Sequence, residues 1–190
     1  MRNQDREYIS GLFPAIDKIR DGELREKVIQ TWYHAWKRGT FQSIEQIHQF
    51  EPLRNRIDYS NVDHTNQVVQ ACEVVSRLLG DMFKVHVNMD HLFAGAVLHD
   101  VDKAVIFDAE AGGLTKTGKK FPHTVMGATM ALMEGLPEEV AHVIGAHSIK
   151  YSAVHPMSIE ALIVRYVDHL VGESAYLAQG LNMKSLLEEQ

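Results

Sequence analysis

The chain has 190 residues, a formal net charge of −6 and 45% hydrophobic residues, which is the composition of an ordinary globular domain. Its single cysteine cannot form a disulfide within the chain, and the N-terminus has no apolar segment typical of a secretory signal, so a cytoplasmic location is expected. An acidic chain without a basic stripe argues against an extended nucleic-acid interface, and no apolar run approaches the roughly 20 residues that a membrane span needs.

The N-terminal part of the chain has apolar residues at helical spacing. This spacing predicts one helix over residues 4–20, disturbed locally by Pro14, and a second helix from Glu23 to Arg38. We expect residues 1–55 to form a helical extension that packs on a second unit, residues 56–190, with the two forming one compact body.

The second unit is predicted to open with a long helix that begins near Asn61 and ends near Phe83. His64 lies at the N-terminal end of its apolar face. The predicted core face continues through Val68, Ala71, Val75, Leu78 and Met82. Taken alone, a histidine in this position is more often a hydrogen-bonded core residue than a metal ligand.

The stretch from Leu92 to Lys103, LFAGAVLHDVDK, is an apolar helical run that ends in polar side chains. Leu92, His99 and Lys103 share one predicted helix face, with Lys103 at the mouth of a site. Burying an unpaired charge costs several kcal/mol, so an apolar face normally continues apolar into the core. His99 and Asp100 therefore stand out as candidates for a site at a helix end.

A polar, glycine-containing segment follows, residues 107–122. It is longer than the usual connection between helices, and loops of this length are often functional. Lys116, Lys119 and Lys120 concentrate positive charge in it. Two interpretations are open: a solvated loop, or a lid that contacts the anionic part of a substrate.

Three further helices each supply one polar residue at an apolar position. Pro122 begins a helix that carries His123 in its first turn. The next helix ends at His147, and Asp168 lies in the middle of the apolar face of the last one. A stripe of methionines is expected to fill the core: Met126, Met130 and Met133.

Five predicted helices thus supply six residues that face inward: His64, His99 with Asp100, His123, His147 and Asp168. Any one of them could be a polar core residue. Six nitrogen and carboxylate donors without sulfur indicate a metal centre instead. The other histidines lack a partner pattern and are expected not to bind metal: His34, His48, His86, His91, His142, His155 and His169.

The order H…HD…H…H…D resembles the HD-domain superfamily of metal-dependent phosphohydrolases, in particular its two-metal members. The segment HDVDK resembles the HDIGK motif of that superfamily, with Asp102 in place of the glycine. The stretch HTVMGATMALMEGLPEEVAHVIGAHS is similar to the corresponding part of the HDIG-type branch. The resemblance covers about residues 60–175.

The resemblance implies an all-α, HD-domain helical fold with two divalent metal ions, of iron, manganese, magnesium, nickel, cobalt or zinc. One ion would be held by His64, His99, Asp100 and Asp168, and Asp100 would bridge to a second ion held by His123 and His147. Lys103 would contact a phosphate oxygen or the leaving group, or form an ion pair with Asp100 or Asp102. Arg165 is a weaker candidate for phosphate binding.

Three functions are compatible with this pattern. The first is a metal-dependent phosphohydrolase or phosphodiesterase that acts on a small phosphorylated metabolite or nucleotide through a metal-activated water, with Asp100 and Lys103 as catalytic residues. The second is a diiron oxygenase of the same fold, because such enzymes share the six ligands. The third is a binding or regulatory module without activity. The pattern does not predict the oligomeric state.

Overall fold

The computed structural model describes residues 1–181, and this part of the chain is α-helical with short 3-10 turns. The helices are α1 (Asn3–Leu12), α2 (Gly22–Arg38), α3 (Asn61–Phe83), α4 (Met89–Leu98), α5 (Lys103–Ile106), α6 (His123–Met133), α7 (Glu138–Ala146) and α8 (Ile159–Ala178), with 3-10 turns at Pro14–Lys18, Ile44–Gln46 and Glu51–Leu53. In residues 1–181 β-structure is limited to two isolated bridges, which confirms the all-α class. None of these helices is both long enough and apolar enough to cross a membrane.

Helix α4 lies at the centre of the fold. Every residue from Leu92 to Leu98 is buried, and α2, α3, α7 and α8 all pack against this helix. The Asn88 side chain caps its N-terminus by accepting hydrogen bonds from the backbone N–H groups of Asp90 and His91. A helix covered on all sides is apolar on all sides, so its polar residues can lie only at its ends.

The N-terminal helices share the hydrophobic core of the rest of the chain. The Trp32 indole N–H donates to the backbone oxygen of Val97 in the last turn of α4, at 3.1 Å, and the Phe13 ring stacks on Trp32 with 4.6 Å between centroids. The boundary between residues 1–55 and 56–190 stays a prediction, and residues 182–190 of the second unit lie outside the described residues.

The single helix predicted over residues 4–20 is wrong, because α1 ends at Leu12 and a 3-10 turn, Pro14–Lys18, follows. Proline disfavours the α conformation in the residue before it, and Phe13 accordingly has φ −124° and ψ 76°. Pro14 therefore ends the helix.

The predicted core faces of α3 and α6 extend too far. Leu78 and Met82 are 54% and 61% exposed, and Met133, the last residue of α6, is 71% exposed. In α3 the buried positions run instead through Val68, Cys72 and Ser76. These positions keep the helical spacing along the contacts of α3 with α4 and α8, and no residue of α3 beyond Ser76 is buried.

The helix predicted to reach Lys103 is also shorter than expected. Helix α4 ends at Leu98, and residues 99–102 form a turn before α5 begins at Lys103. Within this turn the Lys103 N–H donates to the Asp100 carbonyl at 3.1 Å. Lys103 is therefore not on the same helix as His99, and it is only 7% exposed.

Gly95 tests the close packing of α4 on α7. A Cβ atom at this position would lie 2.4 Å from Cγ1 of Val143. We expect Gly95→Ala to lower the free energy of unfolding by about 1–3 kcal/mol through overpacking. The measurement is equilibrium unfolding in urea.

Gly11→Ala is the matched control, because a Cβ atom there has no neighbour within 4 Å and Gly11 is also helical. Its free energy of unfolding should stay equal or rise by up to about 1 kcal/mol, since alanine favours helix over glycine. Equal effects of the two substitutions would contradict the packing argument.

Candidate metal centre

The six predicted donor residues converge on one buried site. They come from the first turn of α3, the turn after α4, the first residue of α6, the residue after α7 and the middle of α8, in the order His64, His99 and Asp100, His123, His147 and Asp168. Two groups have donor atoms that lie within 4.8 Å of one another: His64, His99 and Asp100, and Asp100, His123 and His147. The assignment of these residues as metal ligands stays a prediction.

The first donor group lies between α3, α4 and α8. The Nε2 atoms of His64 and His99 are 3.2 Å apart. Asp168 Oδ1 lies 2.9 Å from His64 Nε2 and 3.6 Å from His99 Nε2. Asp100 Oδ2 lies 3.3 Å from His99 Nε2 and 3.7 Å from His64 Nε2. Two nitrogen and two carboxylate oxygen atoms therefore face a common point.

The second donor group lies between the turn after α4, α6 and α7. The Nε2 atoms of His123 and His147 are 3.0 Å apart. Asp100 Oδ1 lies 3.8 Å from the former and 3.7 Å from the latter. The two oxygens of Asp100 thus face different groups, which is the arrangement of a carboxylate that bridges two cations.

The four histidines are held so that Nε2 faces the site. His99 and His147 each follow the last residue of a helix, and their Nδ1 atoms bond to the free carbonyls of Ala96 and Ile144, at 2.8 and 2.7 Å. A carbonyl only accepts, so these Nδ1 atoms carry the proton. The Nε2 lone pair is then directed inward, as metal ligation requires.

The other two rings are held by side chains. His123 Nδ1 lies 3.1 and 3.2 Å from the two oxygens of Asp102. His64 Nδ1 lies 3.2 Å from the Tyr59 hydroxyl, which itself donates to Gln67 Oε1 at 2.7 Å and so is left to accept from the ring. Each of the four rings can therefore carry a proton on Nδ1, which leaves Nε2 directed at the site.

The protonation states also fit a cation site. Burial, together with His123 and His99, lowers the pKa of His147 to about 3, so this ring is neutral at physiological pH. Burial opposes ionisation of Asp100, but the charges of Lys103 and His99 outweigh it and hold the pKa of this carboxyl well below its usual range. For His99, burial is outweighed by Asp100, and its pKa rises to about 9. A metal ion would replace the proton of His99.

The donor spacing matches the size of a transition-metal ion. Two nitrogen ligands about 2.1 Å from one ion are about 3 Å apart when they subtend roughly a right angle at it. The Nε2 pairs of the two groups are 3.2 and 3.0 Å apart. Imidazole and carboxylate donors without thiolate suit manganese, iron, cobalt, nickel or zinc.

Lys103 lies inside the site and not at its mouth. Its Nζ donates to Asp100 Oδ2 at 2.5 Å and to the backbone oxygen of Gln49. The ion pair with Asp100, one of the alternatives open from the sequence, is thus present. It neutralises a buried carboxylate that would otherwise be costly.

Within residues 1–181, the other predicted phosphate-binding residues make no hydrogen bond or ion pair with the six donors. Arg165 is 9% exposed, and its Nη1 donates to the carbonyls of Ala146 and Val154, so it braces the chain on both sides of His147. Lys116, Lys119 and Lys120 are exposed, and within the described residues no hydrogen bond or ion pair joins them to the six donors. Their role in substrate binding stays a prediction.

Three residues that support the donors were not predicted from the sequence. Asp102 was considered only as a partner of Lys103, although a buried carboxylate that replaces the motif glycine needs a partner of its own. Tyr59 lies two residues before α3 and contacts His64 from nearby in the chain, whereas Gln49 lies in a connecting segment and is 54 residues from Lys103. Only the Asp102 position carried a signal in the sequence.

Asp102 provides a test of the second group. Asp102→Asn keeps the side-chain shape and weakens the acceptor of the His123 Nδ1–H. Loss of such an outer partner typically costs 10- to 100-fold in metal affinity. We expect calorimetric titration with Mn²⁺ to show this loss for one equivalent, with the other little changed. Unchanged affinity of both would contradict this role of Asp102.

The chain is similar in sequence to one protein family and to several of its members. The HD domain family model matches residues 61–172. Dihydroneopterin 2',3'-cyclic phosphate phosphodiesterase from Methanocaldococcus jannaschii is 28% identical over 164 residues, which cover 83% of this chain and 66% of that protein. Ribonuclease Y from Oleidesulfovibrio alaskensis is 28% identical over 152 residues, covering 79% of this chain and 25% of the relative.

The chain spans only part of the length of these relatives: just under two thirds of the first and a quarter of the second. Ribonuclease Y from Desulfotalea psychrophila is 27% identical over 131 residues, 68% of this chain and 22% of that protein. No solved structure gave a significant match. The family model covers more than half of the chain, including all six donor residues, and the chain therefore belongs to the HD-domain family.

Proposed function

We propose that the chain is a metal-dependent phosphohydrolase that cleaves a phosphate ester, with phosphodiesters of small metabolites or nucleotides as the substrate class. The observation that carries this proposal is the position of Asp100. Its Oδ2 lies 3.3 Å from His99 Nε2 in the first group and its Oδ1 lies 3.7 Å from His147 Nε2 in the second. One carboxylate between two donor groups suits a pair of cations that act on a single phosphoryl group.

The proposed ligands of the two ions are the six donors: His64, His99, Asp100 and Asp168 for the first, and Asp100, His123 and His147 for the second. When bound, two divalent ions would lower the pKa of a bound water and neutralise negative charge on the phosphoryl group. The chain's own contribution is to fix the ligands through hydrogen bonds to Nδ1 and to keep Asp100 ionised beside Lys103.

The low exposure of the donor side chains favours a small group as the part of the substrate that enters the site. The side chains of His64, His99, Asp100 and His147 are at most 3% exposed, whereas Asp168 is 15% and His123 is 16% exposed. A phosphoryl group would therefore enter beside Asp168 and His123. The names of the relatives favour a phosphodiester, since one is a cyclic phosphate phosphodiesterase and the others are ribonucleases.

We propose that Lys103 acts mainly through Asp100. Two of the three N–H donors of its ammonium group are used by Asp100 Oδ2 and the Gln49 carbonyl, and the side chain is only 9% exposed, so its main effect is to keep Asp100 ionised and in place. Lys116, Lys119 and Lys120 precede His123 in the chain, and we propose that they attract the anionic substrate towards the exposed edge of that histidine.

The experiment is a hydrolysis screen of the Mn²⁺-loaded protein with 2',3'-cyclic nucleotides, bis(p-nitrophenyl) phosphate, p-nitrophenyl phosphate and a short RNA. We expect turnover of at least one small phosphodiester. His147→Ala should lower kcat by roughly 10²-fold or more, the scale of losing one electrostatic contributor. His86→Ala, which changes an exposed histidine outside both donor groups, is the control and should match the parent.

Two results would overturn the proposal. If His147→Ala is as active as the parent, hydrolysis does not occur at this centre. If the parent hydrolyses no phosphate ester but consumes oxygen when loaded with iron, the diiron oxygenase alternative replaces the proposal.

A further inference from the structure

Gln49 brings an amide group to the edge of the first donor group from outside the segment that the family model matches. A Cβ atom added to Gly172 would lie 3.8 Å from His64 Cε1 and 4.0 Å from Gln49 Nε2. The His64 ring and the Gln49 amide nitrogen therefore flank the same point on α8. Asp168, whose side chain is the least buried of the first group, is one helical turn earlier on α8.

The position of Gln49 is fixed by three partners. Its Oε1 accepts a hydrogen bond from the Tyr176 hydroxyl, its backbone N–H donates to the Tyr59 carbonyl at 3.0 Å, and its own carbonyl accepts from Lys103 Nζ. Gln49 is only 9% exposed. Two of these partners connect it to the site, because Tyr59 holds His64 and Lys103 holds Asp100.

The amide nitrogen of Gln49 is the one polar atom of this side chain without a partner among residues 1–181. Gln49 as a whole is only 9% exposed, so this donor lies in a largely buried setting where an unpaired N–H group is costly. Its two N–H donors are held in a fixed direction by the bond from Tyr176 to the other end of the amide.

We infer that Gln49 Nε2 donates a hydrogen bond to an oxygen of the phosphoryl group bound at the first donor group. This inference rests on the proposed function and adds a substrate-binding residue to it. A fixed neutral donor suits this position, because it can bind an anionic oxygen without adding repulsion to nearby cations. The donor is pre-positioned before substrate arrives, which lowers the entropic cost of binding.

Gln49→Met tests the inference, because methionine keeps a similar length and cannot donate. The measurement is calorimetric binding of inorganic phosphate to the Mn²⁺-loaded protein, together with KM and kcat for a substrate found in the screen. We expect phosphate affinity to fall about 10- to 100-fold, the range for a hydrogen bond to a charged group, with unchanged metal content. Gln70→Met, on the exposed side of α3, is the matched control and should behave as the parent.

Tyr176→Phe is a second variant that leaves Gln49 in place and removes the bond that fixes its amide. It should weaken phosphate binding less, by about 2- to 10-fold, as expected for a neutral hydrogen bond. Unchanged phosphate affinity in both variants would overturn the inference. Loss of bound metal in Gln49→Met would also overturn it, because Gln49 would then support the ligands and not the substrate.

The inference and the proposed function can fail separately. If the parent binds phosphate, Gln49→Met weakens that binding and no phosphate ester is hydrolysed, then Gln49 contacts the anion as inferred and the proposed activity is wrong. If the parent hydrolyses a phosphodiester and Gln49→Met has the same KM and phosphate affinity, the activity stands and the inference is wrong.

Discussion

The Asp100 carboxylate, shared between two groups of histidines, is the interaction on which the rest of the site depends. Its two oxygens point in different directions, one towards His64 and His99 and one towards His123 and His147. A buried carboxylate in this position needs compensating charge, and Lys103 supplies it from the next turn of the chain. Two cations would add to that compensation.

The ends of α4 and α7 explain how two histidine rings are held in fixed orientations in a buried site. Helix α4 is fully covered and therefore apolar, so the chain can place His99 and Asp100 only where the helix stops. The last carbonyls of a helix have no partner within it. His99 and His147 use two of these carbonyls, those of Ala96 and Ile144, to fix their rings. One feature of the backbone thus satisfies two polar atoms and orients two donors.

Much of this arrangement could be predicted from the sequence. Each of the six donors stands out in the sequence because it is a polar residue on a predicted apolar helix face. Buried polar and charged groups need partners, so these six side chains are expected to lie close to one another. The family resemblance and the all-α class were confirmed. The length of each helix is a local property, and Pro14 shows that even a single residue can end one earlier than the pattern predicts.

The remaining features depend on long-range contacts that no local pattern contains. Lys103 was predicted at the mouth of the site because the helix was extended through it, whereas the turn at residues 99–102 directs it inward to the Gln49 carbonyl. Likewise Gln49 lies in a loop with no sequence signal, and only the folded chain brings it against α5 and α8. The C-terminal end of α3, with Leu78 and Met82, and the last residue of α6, Met133, are exposed because both helices extend beyond the hydrophobic core.

The most direct test of this account is the metal stoichiometry of the protein saturated with Mn²⁺, measured by elemental analysis after removal of excess ion, for the parent and for His123→Ala. We expect about two equivalents for the parent and about one for His123→Ala, because this substitution removes a donor of the second group only. One equivalent in both proteins would contradict it, since the second group would then hold no metal.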